Sequence, residues 1–373
     1  MKYKTSALLV LLATLSLPVH SETAKDYIST GIEKAQSGDL KGSDEDFTKA
    51  IELDPSSSEA YYVRGLTRSN LGDLNGALAD YNRSIEIYSG SAFAYTNRGN
   101  IKDDLGDHQG ALEDFNKAIE INPTLAAAYN SRGSERKHLG DIDGALADYK
   151  KAIELEPGFP FPYNNIGLYY VDAGDYEEAL LNFNKAIELN PNFTIAYYNR
   201  GNTKGDIGDT EGAIMDYSKC IELNPGYFGA YVNRGAARSK LKDEEGALSD
   251  FSRAAEINPT SSITHYNVGL SLNRLGRYAE AIQSFDRSVE LNPEFANAYE
   301  SRGRSKGKHN DLEGAIADFT VAIDLNPKNA GAHYGRGFAR VLLGKTDAGC
   351  KELIKSKEMG HDNAQKMLDK YCG

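Results

Sequence analysis

The chain has 373 residues, with 42 lysines and arginines against 54 acids, a formal charge of −12, three cysteines and no tryptophan. The acidic excess argues against general affinity for nucleic acid or anionic lipid, because both need a basic face. The histidines are scattered, and none has metal-ligand spacing with a cysteine or another histidine, so neither metal nor cofactor is expected.

In chain order, the first segment is an export signal. Lys2 and Lys4 precede an apolar run from Ala7 to Leu17, and small residues follow at Val19 and Ser21. This pattern predicts a signal peptide over residues 1–21, cleaved before Glu22, and a mature protein that is periplasmic or secreted. The run is too short to span a bilayer, and no other segment offers an integral membrane span.

From Ala24 the chain repeats every 34 residues, and ten copies start at residues 24, 58, 92, 126, 160, 194, 228, 262, 296 and 330 without insertion or deletion. Glycine occupies position 8 throughout, position 20 is always small, and position 24 is aromatic from Phe47 to Phe319, with Leu353 in the last copy. Position 4 is tyrosine except at His265 and His333, and proline closes eight copies at position 32. Apolar and small residues at helical spacing flank a break such as Leu71-Gly72-Asp73, so each copy reads as two antiparallel helices. Glycine ends the first helix in the left-handed conformation, and aspartate caps the second. One hairpin cannot bury its apolar stripe alone, so the copies must stack over residues 22–363.

This ladder of Tyr, Gly, Ala, aromatic and Pro resembles the tetratricopeptide repeat (TPR) family. The resemblance implies an all-α, right-handed superhelical solenoid of ten hairpins whose first helices line a concave groove. The repeats take up nearly all of the mature chain, and no nucleophile with a neighbouring base, P-loop or dinucleotide fingerprint occurs, so the expected function is a non-enzymatic scaffold that binds a protein or peptide.

Arginine at position 7 (Arg64, Arg98, Arg132, Arg200, Arg234, Arg302, Arg336) departs from the family's usual leucine. It travels with a basic residue at position 11, a small one at 19 and an acid at 23 (Asp80, Asp114, Asp148, Asp216, Asp250, Asp318, Glu352). Copies five and eight change all four together, to Ile166, Tyr170, Glu178 and Asn182, and to Val268, Leu272, Glu280 and Ser284. The co-variation predicts an ion pair within each repeat, with the small residue at 19 leaving room for the guanidinium. An anion-binding row is the other reading.

Position 6 does not follow this switch. It is Asn97, Asn165, Asn199, Asn233 and Asn267, and Asn100 and Asn202 stand at position 9. In the TPR family position 6 faces the groove, and the run resembles the asparagine ladder of the O-linked N-acetylglucosamine transferase superhelix, where amides grip an extended peptide backbone. A primary amide suits that work because it both donates and accepts; bonding between repeats is its other use. The family's carboxylate clamp does not fit. Asn202 and Asn233 match it, but Tyr198, Ile263 and Asn267 stand where cations belong.

The other groove positions divide by charge. Asp103, Asp104, Asp172 and Asp206 lie in the middle copies, and Lys240, Arg274, Arg304 and Lys308 in the later ones. Tyr62, Phe93, Phe161, Tyr198, Tyr266 and Tyr334 add rings that could anchor a partner. A carbohydrate or envelope polymer would use the same amides and rings, and is the second reading of the groove. After the tenth copy, residues 364–373 carry an apolar stripe of Ala364, Met367 and Leu368, expected as a capping helix. Antiparallel packing would bring Cys350 and Cys372 level, giving a disulfide in an oxidising compartment or two buried thiols otherwise. Cys220, at a small core position, reads as packing.

Overall fold

The computed structural model describes residues 22–373, so the expected signal peptide lies outside the described residues. Twenty-one helices and no strand occur among them. The first twenty are ten hairpins, from Ala24–Gln36 with Leu40–Leu53 to Ala330–Leu342 with Thr346–Glu358, and Ala364–Tyr371 is the final helix. The described residues form two compact units, one ending at Pro162 and the other beginning at Tyr163. The 34-residue spacing runs across this division unaltered, so periodicity gave no sign of it. Within each unit the second helix of one repeat packs on the first helix of the next.

Local chemistry sets the hairpin. Gly72 takes φ 82° between the helices of repeat two, a left-handed conformation open to glycine at little cost. Repeats seven and nine put Lys242 (φ 65°) and Asn310 (φ 68°) at the same place. Asp73 then caps the second helix by accepting from the Gly76 N–H, and aspartates in seven other repeats do likewise.

The core lies where the two helices of a repeat cross. The aromatic ring at position 24 is fully enclosed, as for Phe47, Tyr81, Phe115 and Phe183. A Cβ added at Gly99 would stand 2.6 Å from the Phe115 ring, so the ring lies directly on bare backbone. Alanines at positions 20 and 27, such as Ala77 and Ala118, are wholly buried and let neighbouring helices close up. No described helix is long and apolar enough to cross a membrane.

Candidate functional site

The position-7 arginines belong to the scaffold. In Arg64–Asp80, Arg98–Asp114, Arg132–Asp148, Arg200–Asp216, Arg234–Asp250 and Arg302–Asp318, Nη2 lies 2.5–2.7 Å from one carboxylate oxygen. Nε donates to the other oxygen at 2.8–2.9 Å, so each pair is a two-pronged fork inside one repeat. The cation at position 11 reaches the same carboxylate, as Arg238 Nη1 does to Asp250 at 2.9 Å. The preceding tyrosine at position 4 lies against the guanidinium, 5.2–5.7 Å from ring centre to carbon.

Two features differ from the sequence reading. The remaining arginine nitrogen, Nη1, donates at 2.7–3.2 Å to position 25 of the preceding repeat: Thr48, Asn82, Asn116, Asn184, Ser218, Asp286 or Thr320. One guanidinium therefore ties a repeat internally and to its neighbour. The small residue at position 19 does not make room for that guanidinium. A Cβ at Gly76 would fall 2.0 Å from the Asp73 carboxylate, so the space belongs to the helix cap. In repeats five and eight the polar replacements turn back onto their own helix: Asn182 donates to the Glu178 carbonyl and Ser284 to that of Glu280.

The amides divide into two groups. Asn199 is only 9 % exposed, and its Nδ2 donates to Oδ1 of the equally enclosed Asn164 at 3.0 Å. Its expected place on a ligand-facing wall is thereby corrected. Repeat five carries asparagine where repeats two, six, eight and ten have tyrosine at position 5, and the two amides close on each other between helices. Asn165 accepts from Asn164 at 3.4 Å. Asn97 and Asn233 keep part of their surface, but each spends Nδ2 on the tyrosine one repeat back: Tyr62 Oη at 3.1 Å and Tyr198 Oη at 3.2 Å. Asn267 is half-buried and makes no hydrogen bond among the described residues; Asn100 is exposed.

The tyrosines expected as anchors are likewise mostly occupied. Tyr62, Tyr198 and Tyr266 are half-buried against the core rings Tyr81, Tyr217 and Phe285, with centroids 5.8–6.0 Å apart. Tyr198 and Tyr266 also pack on Tyr227 and Phe295 at 4.9 Å. Phe93 and Phe161 do stand out, 56 % and 46 % exposed.

What remains available gathers in a cleft of about 500 Å³ between repeats six and seven. Its walls are the first helices Thr194–Asp206 and Phe228–Lys240, which supply Asn202, Asp206, Asn233 and Lys240. Tyr217, from the second helix of repeat six, lies beneath; the 34-residue period marks it only as one of the position-24 aromatics. Asn202 Oδ1 accepts from Tyr217 Oη and from Asn233 Nδ2, both at 2.8 Å. This network fixes which way the two amides face. It leaves the Asn202 NH2 as a donor and the Asn233 carbonyl as an acceptor, the pair that a peptide group needs. Burial pushes the Tyr217 hydroxyl well above its usual range, so it stays a proton donor.

A second cleft, of about 340 Å³, shares Ala236 and Lys240 with the first and continues to Asn267 and Arg274 in repeat eight. Charge changes sign along this line. Asp172 and Asp206 precede Lys240, Arg274 and Lys308 at position 13 of successive repeats, all exposed. Arg274 is not a loose cation, since it donates to Ser239 and lies 3.3 Å from Glu244. Arg304 pairs with Glu300. With Lys308, Tyr334, Phe338 and His361, it lines a third cavity of about 550 Å³ at the end of the array. There Tyr334 stacks on His361 at 4.2 Å. In the other unit, Asp103 is bonded to His108 and Asp104 is exposed.

At the C-terminus Cys350 and Cys372 form a disulfide with Cα atoms 5.8 Å apart, joining the last hairpin to the helix Ala364–Tyr371. Cys220 is a buried free thiol, pushed up to about 11 by burial and unreactive for that reason.

Among solved structures, a tetratricopeptide repeat protein from Parabacteroides merdae ATCC 43184 is 22 % identical with a TM-score of 0.52, covering 67 % of this chain and 98 % of its own. A MamA protein is 25 % identical (TM-score 0.44; 47 % of this chain, 95 % of that one). YrrB, described as a TPR protein with an unusual peptide-binding site, is 24 % identical (TM-score 0.37; 49 % and 95 %). No curated protein matches. Tetratricopeptide repeat models match residues 92–125, 126–159, 194–227 and 262–295, residues 47–79 and 148–180, and residues 228–261. A TPR repeat model matches residues 169–208 and 308–344. Together these matches run unbroken from residue 92 to 295, more than half of the sequence. With 34-residue hairpins stacked on shared aromatic and alanine positions, the chain belongs to the tetratricopeptide repeat family.

Proposed function

We propose that this protein is a binding scaffold that holds an extended segment of a partner protein in the clefts of repeats six to eight. The observation that carries this reading is the pre-set amide pair: Tyr217 and Tyr198 orient Asn202 and Asn233 so that one donor and one acceptor face open space. Peptide backbone presents the complementary groups whatever its sequence, and Asp206 and Lys240 at the two edges favour one chain direction. A glycan is the less favoured occupant, because Tyr198 and Tyr266 turn their faces inward and leave little ring surface for a sugar to stack on.

The scaffold acts outside the cytoplasm in this reading, helping to assemble an envelope or exported complex. The leader-like residues 1–21 and the Cys350–Cys372 bond both favour an oxidising compartment. The test is a photo-crosslinking residue at Ala236, which lines both clefts, used in intact cells. The expected result is a discrete polypeptide adduct that weakens when Asn202→Ala and Lys240→Glu are introduced together. Adducts identical to those from a probe at Glu188, on a second helix, would refute the reading; a glycan adduct would favour the polymer alternative.

A further inference from the structure

The junction of repeats three and four holds a cluster that peptide binding does not use. Asp103 ends the first helix of repeat three (Ala92–Asp104), His108 starts its second helix (His108–Ile121), and Glu135 lies in the first helix of repeat four (Ala126–His138). His108 Nδ1 is 3.0 Å from Asp103 Oδ1 and 3.3 Å from Glu135 Oε1, and all three donor atoms lie within 4.8 Å of one another.

Glu135 is the anomaly. It is 2 % exposed, and neither carboxylate oxygen accepts a hydrogen bond. The only ring proton His108 could offer at Nδ1 is directed to Asp103. A buried carboxylate that accepts no hydrogen bond is costly, and an imidazole 3.3 Å away whose Nδ1 proton goes to Asp103 does not offset it; a bound cation would.

Repetition supplies an internal control. At position 10, where Glu135 stands, the enclosed equivalents in other repeats are neutral: Thr67, Ile101, Thr203, Ser271, Ser305 and Ala339. At position 17, where His108 stands, repeats one, two, four and nine have Leu40, Leu74, Ile142 and Leu312. The one histidine at position 17 and the one enclosed glutamate at position 10 meet at this junction, which points to a shared purpose.

We propose that Asp103, His108 and Glu135 bind one divalent transition-metal ion of the Zn2+ class, clamping repeat three to repeat four. Donor atoms around a tetrahedral ion with bonds of about 2.0–2.2 Å sit roughly 3.3–3.6 Å apart, close to the 3.0 and 3.3 Å that separate His108 Nδ1 from the two carboxylates. Imidazole together with carboxylate suits Zn2+ and its neighbours better than Ca2+ or Mg2+, which prefer oxygen alone. Three protein ligands leave a fourth position for water or for a donor from a bound partner. The spacing of residues in sequence missed this set because its members come from three helices. His138 packs against His108, with ring centres 4.1 Å apart and the planes tilted by 31°.

The experiment titrates untagged, chelator-treated protein with Zn2+ by calorimetry, and measures bound metal by elemental analysis after gel filtration. Co2+ serves as a coloured substitute for the coordination geometry. His108→Leu and Glu135→Thr use residues found at the same positions of other repeats, so the fold has precedent for both. The expected result is one equivalent per chain, weakened roughly tenfold or more in either variant, with Zn2+ raising the melting temperature of the parent protein only. No uptake by the parent protein, or equal uptake by parent and both variants, overturns the proposal.

Discussion

Asp250 offers the sharpest test of how the repeat scaffold is held. It is 2 % exposed and takes three charge-assisted hydrogen bonds, two from Arg234 at 2.9 and 2.6 Å and one from Arg238 at 2.9 Å. Asp250→Ala removes the acceptor and leaves two guanidiniums, 14 % and 26 % exposed, facing each other with only the distant Asp243, 3.8 Å from Arg238, as a counter-charge. Breaking an enclosed pair on one side costs about 3–5 kcal/mol, and the Arg234 bond to Ser218 survives, so the lower half of that range applies. Repeat eight shows how to dismantle the network without that penalty. Giving repeat seven its residues at the three ion-pair positions, with Arg234→Val, Arg238→Leu and Asp250→Ser, and keeping Gly246 because a Cβ there would fall 2.1 Å from the Asp243 cap, removes charge and desolvation together and should cost less than about 1.5 kcal/mol. Because stability in a repeat array is local, the assay is hydrogen exchange resolved to Phe228–Lys240 and Glu244–Ile257, supported by urea unfolding. Equal losses in the single and triple variants would refute the idea that the three ion-pair positions act as one unit.

Three further outcomes are expected. Lys242→Gly, which relieves a left-handed lysine, should stabilise repeat seven by about 0.5–1 kcal/mol in urea unfolding, with a smaller gain for Asn310→Gly because asparagine tolerates that conformation better. Cys372→Ser should loosen Ala364–Tyr371, raising hydrogen exchange and tryptic cleavage at Lys366 and Lys370 while repeats six to eight stay protected; closing a loop of sequence separation 22 is worth about 3 kcal/mol. Acid should strain the last repeat through Glu352. Burial would raise its carboxyl, but the His333 hydrogen bond and the Arg336 charge outweigh this and hold it below the ordinary 4.5. The folded value is depressed, so its contribution to stability is present above pH 4.5 and is lost as pH falls through the folded value. The melting difference between the parent protein and Glu352→Gln should therefore shrink below about pH 4.5, and a difference constant down to full protonation would contradict this account.

Sequence alone determined the helices, their pairing and the intra-repeat ion pairs. A 34-residue period repeats the same local physics ten times, and coordinated substitutions within one chain reveal which positions touch. Gly65 under Tyr81 and Arg98 on Asp114 are readable in this way because each answers to its own hairpin. What each amide does was decided by tertiary packing. Asn199 and Asn233 share a register position, yet Asn199 is sealed against Asn164 while Asn233 helps to shape an open cleft. The difference comes from the neighbour one repeat back, Asn164 or Tyr198, whose reach sets whether an amide is closed in or left facing solvent. Glu135 makes the same point more strongly. Its meeting with Asp103 and His108 depends on three helices converging, and a linear period records only what recurs, not where its exceptions gather.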